Sequence, residues 1–341
     1  MLAAHAMNGP SRIQLKHRLR RSLPPSVYRA LQRVYWALRL RARALRRFDL
    51  RAVGRTLGSY RVSSLPAYGM DLAGWSLLQT VGDFLGPTAR ESLAGWWQVG
   101  RRRVRYALKR HGTFVARPFT LDRVVLNEVL VTNVYKDGLH LADGDIVVDL
   151  GAHIGAFSVL AAQQARGARI YSYEPEPQNV ELLTRNVLLN HVADQVTICP
   201  VAVGGTSGRH VFHVSSGGMG ALAAGTEQAT PIFVETVTLQ DVFLTHRLDR
   251  INLLKVDIEA AEYEMFAALP EEWLARIDRI IMECHLARHP EQFPRLLQAL
   301  ERAGFACMAA PGARLSLRLV VAQRTRPVPV NGGAREYLLA R

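Results

Sequence analysis

The chain has 341 residues, of which 49% are hydrophobic, and a formal net charge of +14 at neutral pH. This composition is typical of a globular protein with a sizeable core, and no apolar run reaches the ~18 residues of a membrane-spanning helix. The N-terminus lacks the apolar segment of a signal peptide, and the three widely spaced cysteines form neither a disulfide framework nor a zinc-binding pattern. We therefore expect a cytoplasmic protein in a reducing compartment.

The positive charge is concentrated near the N-terminus. Residues 1–60 contain 14 Lys and Arg residues and a single acid, Asp49, whereas residues 111–341 contain 21 basic and 25 acidic residues. A basic segment joined to a mildly acidic one predicts two parts with different partners. We expect a basic, mainly helical N-terminal extension over residues 1–110 and a separate domain over residues 111–341.

Within this extension, residues 26–50 have the pattern of an amphipathic helix. Ser26 is a suitable N-cap after two prolines, and apolar residues follow at helical spacing among seven arginines. Because Tyr35 and Trp36 lie at its centre, such a helix can bind an anionic membrane surface, which would place the protein at the membrane periphery. A helix docked on its own domain is the alternative. Nucleic acid is a less favoured partner, because no nucleic-acid-binding motif accompanies the basic run.

From residue 145 onward, strand patterns alternate with helix patterns. After a helix over 120–136, we predict strands over 146–150, 170–173, 196–201, 251–256, 279–282, 305–309, 314–322 and 336–339. The intervening helices begin near Gly155 and cover 177–189, 239–244, 260–269 and 291–303. This alternation predicts an α/β fold, with a doubly wound, mostly parallel sheet and helices on both faces. Residues 209–237 predict a hairpin insertion, whose small-residue tip over 215–220 is either a lid or a disordered loop.

The first predicted strand leads into a glycine turn. Asp149 is near the end of the strand, and Gly151 and Gly155 bracket the turn Ala152-His153-Ile154 before a helix. Glycines let the backbone approach a ligand, and the helix start offers free N–H groups. The turn lacks the third glycine of a dinucleotide fingerprint, which argues against an NAD-dependent oxidoreductase. An acid before the turn favours a cationic, adenosine-bearing ligand such as S-adenosylmethionine.

Polar residues are predicted to converge around this turn. Glu174 ends the second strand 23 residues after Gly151, where a carboxylate is placed to bind ribose hydroxyls. In a doubly wound sheet the fourth strand lies beside the first, and it ends with Lys255, Asp257 and Glu259. The next strand ends with Glu283 and His285, and Glu262 follows the fourth strand. We expect Lys255 to pair with Asp257 or Glu283, because a buried charge is costly without a partner. A purely structural ion-pair network is the alternative.

These motifs together resemble the FkbM family of S-adenosylmethionine-dependent methyltransferases. The matching residues are Asp145–Gly155, Glu174–Pro177, Asn186, Leu189–Asn190, Thr238–Leu239, Asp241, Leu253–Glu262 and Glu283–His285. The resemblance implies a class I methyltransferase (Rossmann-like) fold, and O-methylation of a sugar or natural-product hydroxyl. It places the cofactor on Asp149, Gly151, Ala152, His153, Gly155, Glu174 and Pro175. The chain departs from the family at His153, where Asn is usual, and at Ala260, where Gly is usual.

The expected reaction needs a base beside the acceptor hydroxyl. His285 is our first choice, because the ordinary pKa of histidine lies near neutrality, and Asp257 is the second. Glu259 and Glu283 are expected to orient the base or to hold the acceptor. We predict a reaction without a metal; a metal held by these carboxylates and His285 is the minor alternative. The rival functions are a nucleic-acid methyltransferase with a basic N-terminal clamp and a non-catalytic, membrane-associated S-adenosylmethionine-binding protein.

Overall fold

The structure is a computed structural model that describes residues 56, 58–64, 103–118, 120–214, 220–221, 230–286, 290–312 and 317–325. These residues belong to one compact unit, which comprises residues 56–71 and 99–341. The predicted helix over 26–50, the lid residues 215–219 and the predicted strand over 336–339 lie outside the described residues. Among the helices in the described ranges, none has the length and apolar character needed to span a membrane.

Thirteen strands and seven α-helices make up the described fold. In chain order the strands are β1 (Val104–Leu108), β2 (Gly112–Ala116), β3 (Ile146–Leu150), β4 (Arg169–Tyr173), β5 (Val196–Cys199), β6 (Ala202–Gly204), β7 (Gly208–Val214), β8 (Gly220–Ala221), β9 (Thr230–Thr238), β10 (Leu253–Val256), β11 (Arg279–His285), β12 (Phe305–Pro311) and β13 (Leu317–Arg324). The helices are α1 (Asp122–Leu126), α2 (Ala156–Gln164), α3 (Pro177–Leu189), α4 (Leu239–His246), α5 (Glu262–Ala268), α6 (Glu271–Leu274) and α7 (Gln292–Arg302).

The central sheet has seven strands in the order β12-β13-β11-β10-β3-β4-β5. Strands β3, β4, β5, β10 and β11 pair in parallel, and β13 runs antiparallel to both of its neighbours. The chain order reverses between β3 and β10, so the fourth predicted strand lies beside the first, as expected. This doubly wound sheet, with its one reversed strand, confirms the class I methyltransferase fold.

Helices cover both faces of the sheet, which explains the nearly continuous apolar strands. Val147 and Leu253 belong to the core on the face covered by α2 and α3. Val148 and Leu254, the next residues along the same strands, belong to the core under α4, α5 and α7. All four side chains are fully buried, because successive strand residues point to opposite faces and both faces are covered.

A hairpin that the sequence did not predict precedes this sheet. Strands β1 and β2 pair antiparallel, and the predicted domain boundary at 110/111 falls in the turn between them. The free edge of β2 is bound by two asparagines of α3. The side-chain amide of Asn186 accepts a hydrogen bond from the Val115 N–H at 2.6 Å and donates one to the Val115 carbonyl at 3.0 Å. Asn190 makes the same two bonds to Thr113, at 3.0 and 2.9 Å.

Other differences from the predicted elements are local. The predicted hairpin insertion is present as β7 and β9, but these strands also join β6 and β8 in a four-stranded sheet of order β6-β9-β7-β8. The helix predicted over 120–136 is shorter: α1 continues directly into a π-helical turn, Asn127–Val131. Strand β11 extends past its predicted end to His285, because β13 pairs with it up to Leu317.

Candidate active site

Both glycines of the turn after β3 adopt a left-handed backbone conformation, which favours glycine. Gly151 has φ +75°, and a Cβ there would collide with the carbonyl oxygen of Asp257. Gly155 has φ +85° and caps α2, and a Cβ there would collide with Leu183 of α3. The turn therefore packs closely against both the end of β10 and helix α3, and this close contact is possible because neither glycine has a side chain.

The N–H groups of this turn are largely satisfied by the protein itself. Those of Gly151 and Ala152 both donate to the carbonyl of Tyr173 at 3.0 Å. The His153 N–H donates to Glu174 Oε2 at 2.8 Å, and the Gly155 N–H donates to the Ala152 carbonyl at 2.8 Å. The N–H groups at these four positions therefore donate to the end of β4 and to the turn itself.

A fully buried ion pair lies beneath the turn. Lys255 Nζ is 3.1 Å from Asp149 Oδ1, donates to the Gly151 carbonyl at 2.8 Å and lies 3.9 Å from Asp257. Asp149 also accepts from the Ser158 hydroxyl at 2.6 Å. Burial alone would lower the pKa of Lys255, but the carboxylates of Asp149 and Asp257 outweigh burial and raise it. Lys255 thus pairs mainly with Asp149, a partner that was not predicted, since β3 and β10 place the two side chains at the same level.

A cavity opens at the carboxyl ends of β3, β4 and β10. Its lining residues are Val125, Val129, Tyr135, Gly151, Ala152, His153, Ala156, Phe157, Tyr173, Glu174, Pro175, Asn179, Ala202, Val203, Phe212, Lys255, Asp257, Ile258 and Glu259. Five predicted cofactor-binding residues are in this set: Gly151, Ala152, His153, Glu174 and Pro175. Asp149 and Gly155 are not, so their contribution is to the shape of the turn.

Glu174 reaches the cavity from the end of β4. The residue is only 5% exposed, and its carboxylate oxygens accept hydrogen bonds from the N–H groups of His153 and Glu176 at 2.8 and 2.9 Å. A carboxylate oxygen has two lone pairs, so Glu174 retains acceptor capacity for a ligand hydroxyl. Beside it, Ala202, Val203 and Phe212 supply an apolar wall. A carboxylate for ribose hydroxyls and an apolar wall for a base fit the adenosine part of S-adenosylmethionine.

A second buried network adjoins the cavity and was missed by sequence reasoning. Arg117 binds Asp122 through two side-chain bonds at 2.9 and 2.7 Å, and donates to Asn179 at 2.6 Å. His153 Nε2 lies 3.4 Å from Asp122, and Glu176 lies 3.6 Å from Arg117. Burial alone would raise the pKa of Asp122, but Arg117 and His153 hold it below its usual value. Burial, reinforced by Glu174 and Asp122, raises the pKa of Glu176 to about 7 despite Arg117.

The two departures from the family pattern both occur at left-handed backbone positions. His153 has φ +51° and Ala260 has φ +78°. Asn and Gly, which are usual at these positions in the family, are the two residues that adopt this conformation most readily. The turn geometry is therefore retained here at the cost of backbone strain, in the cofactor turn and in the loop after β10.

His285 is bound on both ring nitrogens by carboxylates. Its Nε2 lies 3.2 Å from Glu259, and its Nδ1 lies 3.2 Å from Glu262, which also accepts the His285 backbone N–H at 2.7 Å. Burial opposes protonation, but Glu262, Glu259 and Asp257 together raise the pKa of His285 to about 9. The imidazole is therefore protonated at neutral pH in this structure, which argues against its predicted role as a base.

The remaining predicted catalytic residues are carboxylates at the same edge of the sheet. Asp257 lines the cavity, and its side chain is 30% exposed. Glu283 accepts a hydrogen bond from Tyr135 at 3.0 Å. Burial and the nearby Asp257 raise the pKa of Glu283 to about 7. The structure thus brings together the predicted acids of β10 and β11, but Glu283 and His285 are not among the residues that line the cavity. Asp257 lines it directly and takes the place of His285 as the candidate proton acceptor.

Comparison with known proteins identifies the same kind of domain. Residues 149–307 match the Methyltransferase FkbM domain. The chain is 26% identical over 188 residues to 31-O-demethyl-FK506 methyltransferase FkbM of Streptomyces tacrolimicus, covering 46% of this chain and 72% of the relative. It is 28% identical over 200 residues to Methyltransferase 1 of Beauveria bassiana, covering 52% of this chain and 79% of the relative.

Among solved structures, Methyltransferase FkbM from Methylobacillus flagellatus KT matches with a TM-score of 0.40 and 16% identity. That match covers 57% of this chain and 47% of the other. The cofactor of the family is S-adenosylmethionine, in agreement with the cavity around Gly151 and Glu174. Over residues 149–307, this chain is therefore similar to methyltransferases of the FkbM family.

Proposed function

We propose that this protein transfers the methyl group of S-adenosylmethionine to a hydroxyl oxygen of a sugar, glycolipid, polysaccharide or natural product. One observation carries the proposal. The carboxylates of Asp257 and Glu259 line the same cavity as the glycine turn and Glu174. A proton acceptor and a site for the methyl donor therefore share one enclosure, as methylation of a hydroxyl requires. The name of the Streptomyces relative, which specifies a 31-O position, supports oxygen as the acceptor atom.

S-adenosylmethionine supplies an electrophilic methyl group, so that a carbon–sulfur bond breaks as the carbon–oxygen bond forms. The main task of the protein is positioning, which can lower such a barrier by about 7–11 kcal/mol. In this proposal Gly151 and Glu174 hold one reactant, and Asp257, which lines the cavity, accepts the hydroxyl proton. Glu283, bound to the cavity residue Tyr135, is the alternative acceptor. The expected products are a methyl ether, S-adenosylhomocysteine and a protonated carboxyl group.

Titration calorimetry and a turnover assay test this proposal. We expect S-adenosylmethionine to bind and NAD not to bind. Asp257→Asn should lower turnover by about 10²–10⁴-fold, the usual contribution of an acid–base group, while S-adenosylmethionine still binds. Glu272→Gln, which changes an exposed carboxylate of α6, is the matched control. Tight NAD binding without S-adenosylmethionine binding, or unchanged turnover of Asp257→Asn, would refute the proposal.

The acceptor can be sought directly in cells. Mass spectrometry should compare metabolites and glycans from a strain lacking the gene with those of its parent. We expect a product in the parent that is heavier by one methylene group, and that gains deuterium from S-adenosylmethionine labelled on its methyl group. A methylated nucleic acid as the missing product would instead favour the nucleic-acid methyltransferase.

A further inference from the structure

Two carboxylates and one imidazole converge at the ends of β10 and β11. One ligand atom from each of Asp257, Glu259 and His285 lies within 4.8 Å of the other two. His285 Nε2 and Glu259 Oε2 are 3.2 Å apart. Adjacent ligands around an octahedral divalent ion at ~2.1 Å are about 3.0 Å apart, and opposite ligands around larger ions are up to about 4.8 Å apart. The three side chains therefore need little movement to share one ion.

The orientation of His285 is fixed from behind by Glu262. This glutamate is completely buried, and its Oε1 lies 3.2 Å from His285 Nδ1 and 2.7 Å from the His285 backbone nitrogen. Its Oε2 has no hydrogen-bond partner among the described residues. A buried carboxylate with one oxygen unpaired is poorly stabilised, and a cation on the far side of the imidazole would stabilise its negative charge. A carboxylate that binds one ring nitrogen and directs the other outward is the usual support of a metal-binding histidine.

The charge at this edge of the sheet is strongly negative. Four carboxylates lie here, on Asp257, Glu259, Glu262 and Glu283, and the adjacent Lys255 is already paired with Asp149. The imidazole of His285 contacts two of these carboxylates, those of Glu259 and Glu262. Carboxylates in such numbers stay close together when a cation is present.

We propose that Asp257, Glu259 and His285 bind a divalent cation of the Mn²⁺ or Mg²⁺ class. Three protein ligands leave coordination positions open in an octahedral site, and Asp257 and Glu259 border the cavity. The open positions would take the acceptor hydroxyl, and the cation would stabilise the oxygen as it loses its proton. Because Asp257 is then a ligand, the proton passes to the carboxylate of Glu283 and the electron pair remains on oxygen. This catalytic role depends on the proposed function, whereas binding of the cation does not.

Binding of Mn²⁺ to the full-length, untagged and metal-stripped protein tests the proposal. Electron paramagnetic resonance measures the free Mn²⁺ during a titration. We expect one saturable site per chain, which Mg²⁺ competes for. Glu259→Gln should weaken binding at least about tenfold, and Glu262→Gln by about 10–100-fold through its effect on His285. Glu264→Gln, an exposed carboxylate on the same helix as Glu262, should leave the affinity unchanged.

Either of two results would overturn the proposal: no saturable Mn²⁺ binding by the wild type, or equal affinity in the wild type and Glu259→Gln. If circular dichroism shows that Glu259→Gln is unfolded, His285→Gln replaces it, and the wild-type titration decides in any case. Calorimetry with S-adenosylmethionine in the presence of a chelator separates the two proposals. S-adenosylmethionine binding without Mn²⁺ binding refutes only the cation site, and the reverse result opposes only the proposed function.

Discussion

The buried pair of Lys255 and Asp149 gives the strongest stability prediction. In Lys255→Met the side-chain length is kept, but Asp149 loses a cation at 3.1 Å and keeps only the Ser158 hydroxyl. The carbonyl of Gly151 also loses its bond at 2.8 Å. Removing one partner of a buried pair leaves an uncompensated charge, and we expect the free energy of unfolding to fall by about 3–5 kcal/mol.

Asp149→Asn should lower the free energy of unfolding by less than Lys255→Met, because Lys255 still donates hydrogen bonds to the carbonyls of Leu150 and Gly151 at 3.3 and 2.8 Å. The double variant carries neither charge, so it should be no less stable than Lys255→Met alone. This non-additivity corresponds to a coupling energy of about 2–3 kcal/mol.

Urea unfolding at pH 7, followed by circular dichroism, measures all four proteins. The ion pair of Arg103 and Glu181 is a suitable control, because its atoms are 3.5 Å apart and the glutamate is 54% exposed. Its coupling energy should be below about 1 kcal/mol. If the effects of Lys255→Met and Asp149→Asn add to within about 0.5 kcal/mol, the pair does not hold the turn as described.

Three further results are expected. Burial raises the pKa of Glu176 from 4.5 to about 7, so ionisation of this carboxyl destabilises the folded protein as the pH rises between these values. The unfolding free energy of Glu176→Gln, measured relative to wild type, should therefore increase by about 3 kcal/mol from pH 4 to pH 8. A difference that stays constant with pH would refute this. Ala260→Gly should relieve strain at φ +78° and raise the melting temperature by about 2 °C, whereas Ala261→Gly, at φ −82°, should lower it. Residues 26–50 should carry the protein onto anionic liposomes, and equal co-sedimentation after deletion of residues 1–50 would exclude the membrane hypothesis.

The sheet and the turn could be predicted because their signals are local. The apolar run before Gly151 and its two glycines are adjacent in the chain, and alternation of strands and helices is enough to place β10 beside β3. The acids that follow β10 and β11 were then expected to converge, since parallel strands end at one edge of a sheet. Family resemblance added the identity of the ligand, which the turn alone does not specify.

The partners of buried charges could not be predicted in the same way. Strand register pairs Asp149 with Lys255. From the sequence alone, several carboxylates near Lys255 were equally plausible ion-pair partners. Arg117 and Asp122 are close in the chain, but nothing local shows that both are fully enclosed beside His153. The state of His285 depends on Glu262, whose side chain turns back from α5 to the end of β11. Each of these features is set by contacts between distant segments.

The two asparagines on α3 have a consequence for solubility and for the order of folding. Asn186 and Asn190 are separated by ~6 Å along a helix, close to the ~6.8 Å between alternate residues of a strand. Their amides therefore act as one more strand, and they close the edge of β2 that β1 leaves open. An open edge invites pairing with other chains, so this closure guards the hairpin against aggregation. Until α3 has formed, this edge of β2 is open to pairing with another strand.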